Sequence, residues 1–197
     1  MKKQPVDPLS LLLPSGSEGL DLLPASVALA TLDRQSGRQE GMGLVLKRSM
    51  ERLASRYDHV IIDCPAVLGV LLINALAACE RLLIPVQTEF LALKGLERML
   101  HTLQMVLRAR SATLPHLIVP TMFDRRTHAS IDSLKLLRSK HAGAVWEGVI
   151  PVDTRFRDAS QAGIPPSLFD PCARGVIAYA ALLEKLQGST ATLQEAG

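Results

Sequence analysis

The stretch Tyr57-Asp58-His59-Val60-Ile61-Ile62-Asp63-Cys64-Pro65 constrains the fold more than any other part of this chain. An uninterrupted β-branched run that ends in a carboxylate and then a proline predicts a buried parallel strand delivering an acid to the carboxyl edge of a sheet. That edge is where α/β proteins bind their ligands.

The flanking sequence supplies partners for such a strand. From Met42 to Arg56, apolar residues at Met42, Leu46, Met50, Leu53 and Tyr57 recur every three or four positions, which predicts a helix with one buried stripe. Val70 to Cys79 is apolar nearly all round and reads as a short buried helix, and Leu82 to Val86 reads as the next strand. Lys94 to Arg110 is the clearest amphipathic helix, with Leu96, Met99, Leu100, Leu103, Val106 and Leu107 on its apolar side. His116 to Phe123 reads as a strand, Ser130 to Lys140 as a helix, Val145 to Ile150 as a strand closed by Pro151, and Asp158 to Gln161 as a helical turn. Asp170 is a good N-cap and Pro171 suits a first helical position, so the closing helix is expected from there to about Gln187.

Residues 1–19, rich in Pro, Ser and Gly, are expected to be irregular apart from a short strand at Ser10 to Leu13, and residues 188–197 a flexible tail. Strands alternating with helices, without repeats, predict an α/β fold: one domain over residues 20–187 with a doubly wound, mostly parallel sheet flanked by helices.

Composition narrows the class. With 197 residues, 48% hydrophobic and only 4% aromatic, the chain can bury a sizeable aliphatic core. Cys64, Cys79 and Cys172 form no CxxC and no His/Cys cluster, which argues against a disulfide framework or a zinc site and fits a reducing cytoplasm. The longest apolar stretch, Ala66 to Cys79, is interrupted by Asn74 and is shorter than the ~18 residues a membrane span needs. Leu9 to Leu13 is fenced by Pro8 and Pro14 and is not a signal-peptide core. No membrane helix is expected. Between Arg108 and Arg157, nine Lys/Arg face four Asp/Glu. Such a basic half suits phosphates, nucleic acid or an acidic partner, and equally a set of solvated helix faces.

An acid closing the Val60-Ile61-Ile62 run is the Walker B arrangement, in which the carboxylate holds a magnesium ion through water opposite a nucleotide phosphate. Standing alone the pattern is weak, because α/β proteins more often end a strand in Asp to cap the next helix. The pattern does not stand alone. Tyr57 to Pro65 is followed by Asn74-Ala75-Leu76, then by Ile84-Pro85-Val86-Gln87-Thr88-Glu89 and Lys94-Gly95-Leu96. Downstream come Thr121-Met122-Phe123-Asp124 with Arg126-Thr127, then Ile150-Pro151, Arg155, Asp158-Ala159, Gly163, Asp170-Pro171 and Tyr179. In order and spacing this series, over roughly residues 20–187, resembles the ParA/MinD family of deviant-Walker P-loop ATPases, and within it the chemotaxis-associated type called ParC.

The resemblance implies ATP and Mg2+ as cofactors, with Asp63 as the Walker B acid holding Mg2+ through water. It implies a switch loop from Cys64 to Gly69, with Cys64 and Pro65 against the nucleotide, and an adenine pocket lined by Met122, Asp124, Pro151 and Asp153. It also implies a positioning role in chromosome or plasmid partition or in polar placement of a chemotaxis array. Expected partners are a second copy or an intact ParA-type protein, an adaptor or cargo protein, and non-specific DNA met through Lys135, Arg138, Lys140, Arg155 and Arg157. The closing helix, Gly175 to Leu186, lacks the dense basic face of a MinD-like membrane anchor.

Two departures qualify the resemblance. Ala66 stands where the family often has a second proline. More consequentially, no GxxxxGK[ST] occurs in the chain, so the family's first βαβ unit, whose strand lies between the Walker B strand and the Leu82 to Val86 strand, is expected to be absent. Without those backbone amides and lysines to grip the β- and γ-phosphates, little or no ATP hydrolysis is expected from this polypeptide alone. The competing expectation is a non-catalytic interaction module that binds an intact ParA-type paralogue or its adaptor. Other features have plain readings: the five histidines have no ligand spacing, Ser130, Ser133 and Ser160 have no nucleophile elbow, Cys64 is a small core residue, and Trp146 is core.

Overall fold

A computed structural model describes residues 6–29, 31, 42–65, 67–108 and 113–194; Ala66 and Arg110 lie outside the described residues. The chain divides into two compact units, Met1–Glu80 and Arg81–Gly197.

In the first unit, Leu13–Pro14 (β1) pairs antiparallel with Asp21–Leu22 (β2). Gly16 and Gly19, at φ 82° and 72°, supply the left-handed conformations that this tight reversal needs. The strand expected at Ser10 to Leu13 is largely a 3-10 turn, Pro8–Leu11, in which the Asp7 carboxylate accepts the Leu9 N–H at 3.2 Å. The expected boundary between residues 19 and 20 falls inside the hairpin. After a 3-10 turn at Met42–Leu44, helix α1 (Val45–Leu53) packs on helix α2 (Val70–Ala78). The buried Asn74 joins them: its Oδ1 accepts the Leu46 N–H at 3.1 Å and its Nδ2 donates to the Val70 carbonyl at 2.8 Å. An amide in an apolar helix is thereby satisfied.

The main departure from expectation is Tyr57 to Pro65, which joins no strand ladder among the described residues. Ile61 is 96% exposed, Val60 about half, and Asp63 is exposed. A β-branched run becomes a buried strand only where neighbours take up its N–H and C=O groups and a layer covers its faces. No described residue supplies the ladder here.

The second unit realises the α/β pattern. Leu82–Gln87 (β3) runs parallel to His116–Thr121 (β4), with Leu82 beside His116 and Gln87 beside Thr121. Between them, helix α3 (Phe90–Leu107) packs on β3 and against helix α4 (His128–Lys140). Leu93, Leu96 and Leu103 of α3 are buried, as the helical spacing requires. Beyond α4 come α5 (Arg155–Ala162), the single turn α6 (Pro166–Phe169) and α7 (Arg174–Gln194). Ile118 and Pro120 on one face of β4 are fully buried. On the other face Val119 and Leu117 pack with Trp146, Ile150 and the α7 residues Ala178, Leu182 and Leu186.

Three further boundaries differ from expectation. The strand expected at Val145 to Ile150 consists of two parallel bridges, Ile118 with Val145 and Phe123 with Pro151. Proline explains the interruption. Ile118 N–H donates to the Ala144 carbonyl (2.8 Å) and Trp146 N–H to the Ile118 carbonyl (2.9 Å), so the next donor along β4 would be residue 120. Pro120 has no N–H to give, and the chain detours through Glu147 and Gly148 before Ile150 N–H reaches the Pro120 carbonyl at 2.9 Å. The closing helix starts at Arg174 rather than Pro171, because the Asp170 carboxylate accepts the Cys172 N–H in a local turn. It runs past Gln187 and Gly188 to Gln194, where a flexible tail was expected. Among the described residues no helix is long and apolar enough to cross a membrane.

Candidate functional site

The site is built where β4 ends. Met122 adopts φ 52°, the one left-handed non-glycine residue among those described, a conformation that costs about 1–2 kcal/mol. The chain then runs so that Phe123 N–H donates to the Ile150 carbonyl (3.0 Å) and Val152 N–H donates to the Phe123 carbonyl (3.1 Å). These bonds set residues 123–126 beside 151–154 as the walls of a cleft of about 380 Å³. Phe123, Pro151 and Val152 make it apolar, and Arg125, Arg126 and Arg174 bring guanidinium groups to it.

Both carboxylates in the cleft are already bonded by the chain itself. Asp124 Oδ1 accepts from the Arg126 backbone N–H (3.0 Å) and Nε (2.9 Å), and its Oδ2 accepts from Arg126 Nη2 (2.8 Å). The Arg126 side-chain fork, then its backbone N–H and the positive charges of Arg126 and Arg174, lower the Asp124 pKa to about 2. Behind it, Asp124 N–H donates to Ser130 Oγ at 3.1 Å, and Ser130 Oγ shares a buried 2.6 Å hydrogen bond with Thr88 Oγ1 just beyond β3. Asp153 Oδ2 accepts the Gly175 N–H in the first turn of α7 at 2.8 Å, and Oδ1 accepts the Arg155 N–H at 3.0 Å. Those two backbone bonds, Gly175 first, with the charges of Arg174 and Arg155 adding, hold the Asp153 carboxyl below its ordinary range.

The start of α7 is also fixed by packing. Gly175 is buried so closely against the Phe156 ring that a Cβ there would overlap it. Arg174, next to it, lines the cleft and forms no hydrogen bond or ion pair with any described residue. Sequence reasoning missed this residue. Its only signal is its place just after the Asp170-Pro171 turn, and the cap that fixes it comes from Asp153, distant in sequence.

The other expected site residues divide between the units. Asp124, Pro151 and Asp153 come together in the cleft, whereas Met122 adjoins it with a side chain 45% exposed and outside the lining. Asp63, Cys64 and Pro65 belong to the first unit. Burial, and then the charge of Asp63, push the Cys64 thiol pKa up, which keeps it protonated and unreactive. Among the described residues no group of three His, Cys, Asp or Glu can hold a metal ion. The exposed Asp63 carboxylate therefore fits an outer-sphere hold on hydrated Mg2+, an ion that keeps most of its waters and takes one or two carboxylates plus phosphates.

The basic residues do not form one bed. Lys135 pairs with Asp132 (3.6 Å) and, with Arg138, lies on one stripe of α4. Arg138 donates to the Glu147 carbonyl, while Lys140 pairs with Glu97 of α3 at 2.7 Å. Arg155 is tied to Asp170 (3.3 Å) and Asp158 (3.6 Å), and Arg157 is exposed.

Residues 9–115 match the AAA domain family. Over 181 residues the chain is 34% identical to the sporulation initiation inhibitor protein Soj of Bacillus subtilis, covering 91% of this chain and 72% of Soj. It belongs to the ParA/Soj family. Over 177 residues it is 33% identical to the chromosome partitioning protein ParA of Myxococcus xanthus, covering 89% of this chain and 62% of that ParA. The ParA/Soj assignment brings the α/β fold of P-loop NTPases. In agreement, the crystal structure of a cobyrinic acid a,c-diamide synthase from Mycobacterium smegmatis with bound ADP and magnesium superposes with a TM-score of 0.74 and 31% identity, over 93% of this chain and 69% of that one.

Proposed function

We propose that this chain is a ParA/Soj-type positioning protein and that its second unit supplies the base-binding part of an ATP and Mg2+ site. The observation that carries the reading is the cleft: residues assigned to adenine by the family resemblance, Asp124, Pro151 and Asp153, line one concavity with apolar walls and guanidinium groups. Those walls fit a flat heteroaromatic ring. Asp63 would hold a hydrated Mg2+ through water, and ATP when bound would supply the phosphoryl group and the charge that this ion neutralises. The name of the ParA relative supports a role in chromosome partition; placement of plasmids or, for the ParC type, of chemotaxis arrays in the cytoplasm is the part of the proposal that rests on the family resemblance alone.

The 197 residues contain no GxxxxGK[ST], so the polypeptide taken alone is read as a weak hydrolase at most. A second reading, an interaction module for an intact ParA-type protein or its adaptor, is favoured by one observation. The apolar run through Ile61 lies open where a partner strand would cover it. Homodimerisation and salt-sensitive DNA contact belong to the same proposal. The candidate DNA contacts are Lys135, Arg138, Lys140, Arg155 and Arg157, of which the first four are engaged within the chain and would exchange those bonds for phosphate.

Isothermal titration of the whole chain with ATP, with and without Mg2+, tests the reading. Saturable binding that tightens with Mg2+, and loses that increment in Asp63→Ala, is expected. A folded sample that takes up no ATP under either condition would leave only the interaction module.

A further inference from the structure

We propose that the outer face of α3 is a docking seam for an acidic amphipathic helix of another protein. The inference goes beyond both readings above, because it draws on neither the cleft nor the open Tyr57 to Pro65 run.

Leu91, Lys94, Arg98, His101, Met105 and Arg108 follow one another at intervals of three, four, three, four and three residues, and all of them are exposed. That alternation holds side chains on a single stripe and is the spacing by which one helix seats a second. The opposite side of α3, with Leu93, Leu96 and Leu103, is already buried. Over the 18 residues of α3 the stripe runs for about 27 Å.

Its composition decides what fits. Leu91 is 74% exposed, its neighbour Phe90 64% and Met105 51%, so apolar side chains stand open near both ends. Lys94, Arg98 and Arg108 bring positive charge to the same stripe. Glu97, the sole acid of α3, lies beside it and is already paired with Lys94 at 3.2 Å and with Lys140 of α4 at 2.7 Å. Lys94 Nζ also sits 5.9 Å from the centre of the Phe90 ring, which joins the apolar start and the first charge into one surface. A seam that is apolar and cationic is matched by a helix with leucine-like side chains opposite Leu91 and Met105 and carboxylates opposite Lys94, Arg98 and Arg108.

The other occupants fit less well. A second copy of this seam would set cation against cation. Phosphates of a nucleic acid would answer the charges and leave Leu91 and Met105 without contacts. A membrane surface takes a helix that is apolar along its length, whereas Arg98 and His101 occupy the middle of this stripe.

The test is titration of the whole chain with a synthetic helical peptide about 20 residues long that carries Leu, Glu, Glu, Gln, Leu and Glu at the same spacing. The peptide is made with that order running in each chain direction, and each version is matched by one with Lys in place of Glu. Saturable binding of an acidic peptide is expected, with the lysine version at least about tenfold weaker. Arg98→Glu should weaken the acidic peptide about tenfold and strengthen the lysine version, and Leu91→Ser should weaken the acidic peptide by a similar factor. Both positions are exposed, and circular dichroism checks that the variants are folded. Failure of the folded chain to bind either acidic peptide, equal binding of the acidic and lysine versions, or an unchanged affinity in either variant would overturn the inference. If the chain ignores the acidic peptides while Arg98→Glu abolishes its binding to duplex DNA or to phosphatidylglycerol vesicles, the stripe belongs to that partner and the inference is overturned as well.

Discussion

Val60-Ile61-Ile62 and Ile118-Val119-Pro120 are both apolar runs that contain β-branched residues and lead to an acid, Asp63 in one case and Asp124 in the other. Yet Ile61 is 96% exposed and Ile118 is 0% exposed. The difference lies outside the runs. The second has β3 along one edge, the Ile118–Val145 bridge and the Ile150 N–H to Pro120 carbonyl bond along the other, and α7 across a face. The first has no ladder partner among the described residues. Side-chain composition states a preference for a sheet interior, and edge hydrogen bonds decide whether the preference is met.

The largest effect that could break this comparison is in stability. Ile118→Ala should cost about 3 kcal/mol in urea denaturation, whereas Ile61→Ala should stay within about 0.5 kcal/mol. Equal losses at the two positions would mean that the Tyr57 to Pro65 run is buried in solution. A smaller effect sharpens the comparison at the acids. Ser130→Ala leaves the Asp124 N–H and the buried Thr88 hydroxyl without their shared partner, and should cost about 1–2 kcal/mol by the same measurement. No similar buried support lies behind Asp63 among the described residues.

The smallest effect concerns protons. Because its folded pKa, about 2, is below the ordinary carboxylate value, Asp124 contributes stability that is complete above about pH 4 and fades as pH falls toward 2. Carboxyl NMR should follow this titration directly. Arg126→Ala should move the midpoint up toward the ordinary value, and an unmoved midpoint would show that the fork is not its cause.

The fold of the second unit was legible because its signals are local. Helical spacing marks α3 and α4, and apolar runs bounded by turns mark β3 and β4. The cleft was partly legible, since Asp124, Pro151 and Asp153 follow strand ends, where α/β proteins bind ligands. What stayed hidden depends on partners far apart in sequence. Asp153 looked like a ligand and caps a helix. Arg174 drew no notice in the sequence, because the cap that sets it beside the cleft comes from the distant Asp153. The break near Gly148 was written in Pro120, on the neighbouring strand, and became visible only once the register was known. For Tyr57 to Pro65 the composition favours a strand, and no described residue supplies the ladder it requires.

Trp146 is the sole tryptophan, and it is buried in the second unit among Val119, Ile150 and Leu182. Its indole is therefore a built-in optical label for that unit alone. Red-edge excitation selects it over Tyr57 in the first unit and Tyr179 in the second. Emission then reports the melting of Arg81–Gly197, while backbone circular dichroism reports both units. The two units can thus be followed separately in one unlabelled sample.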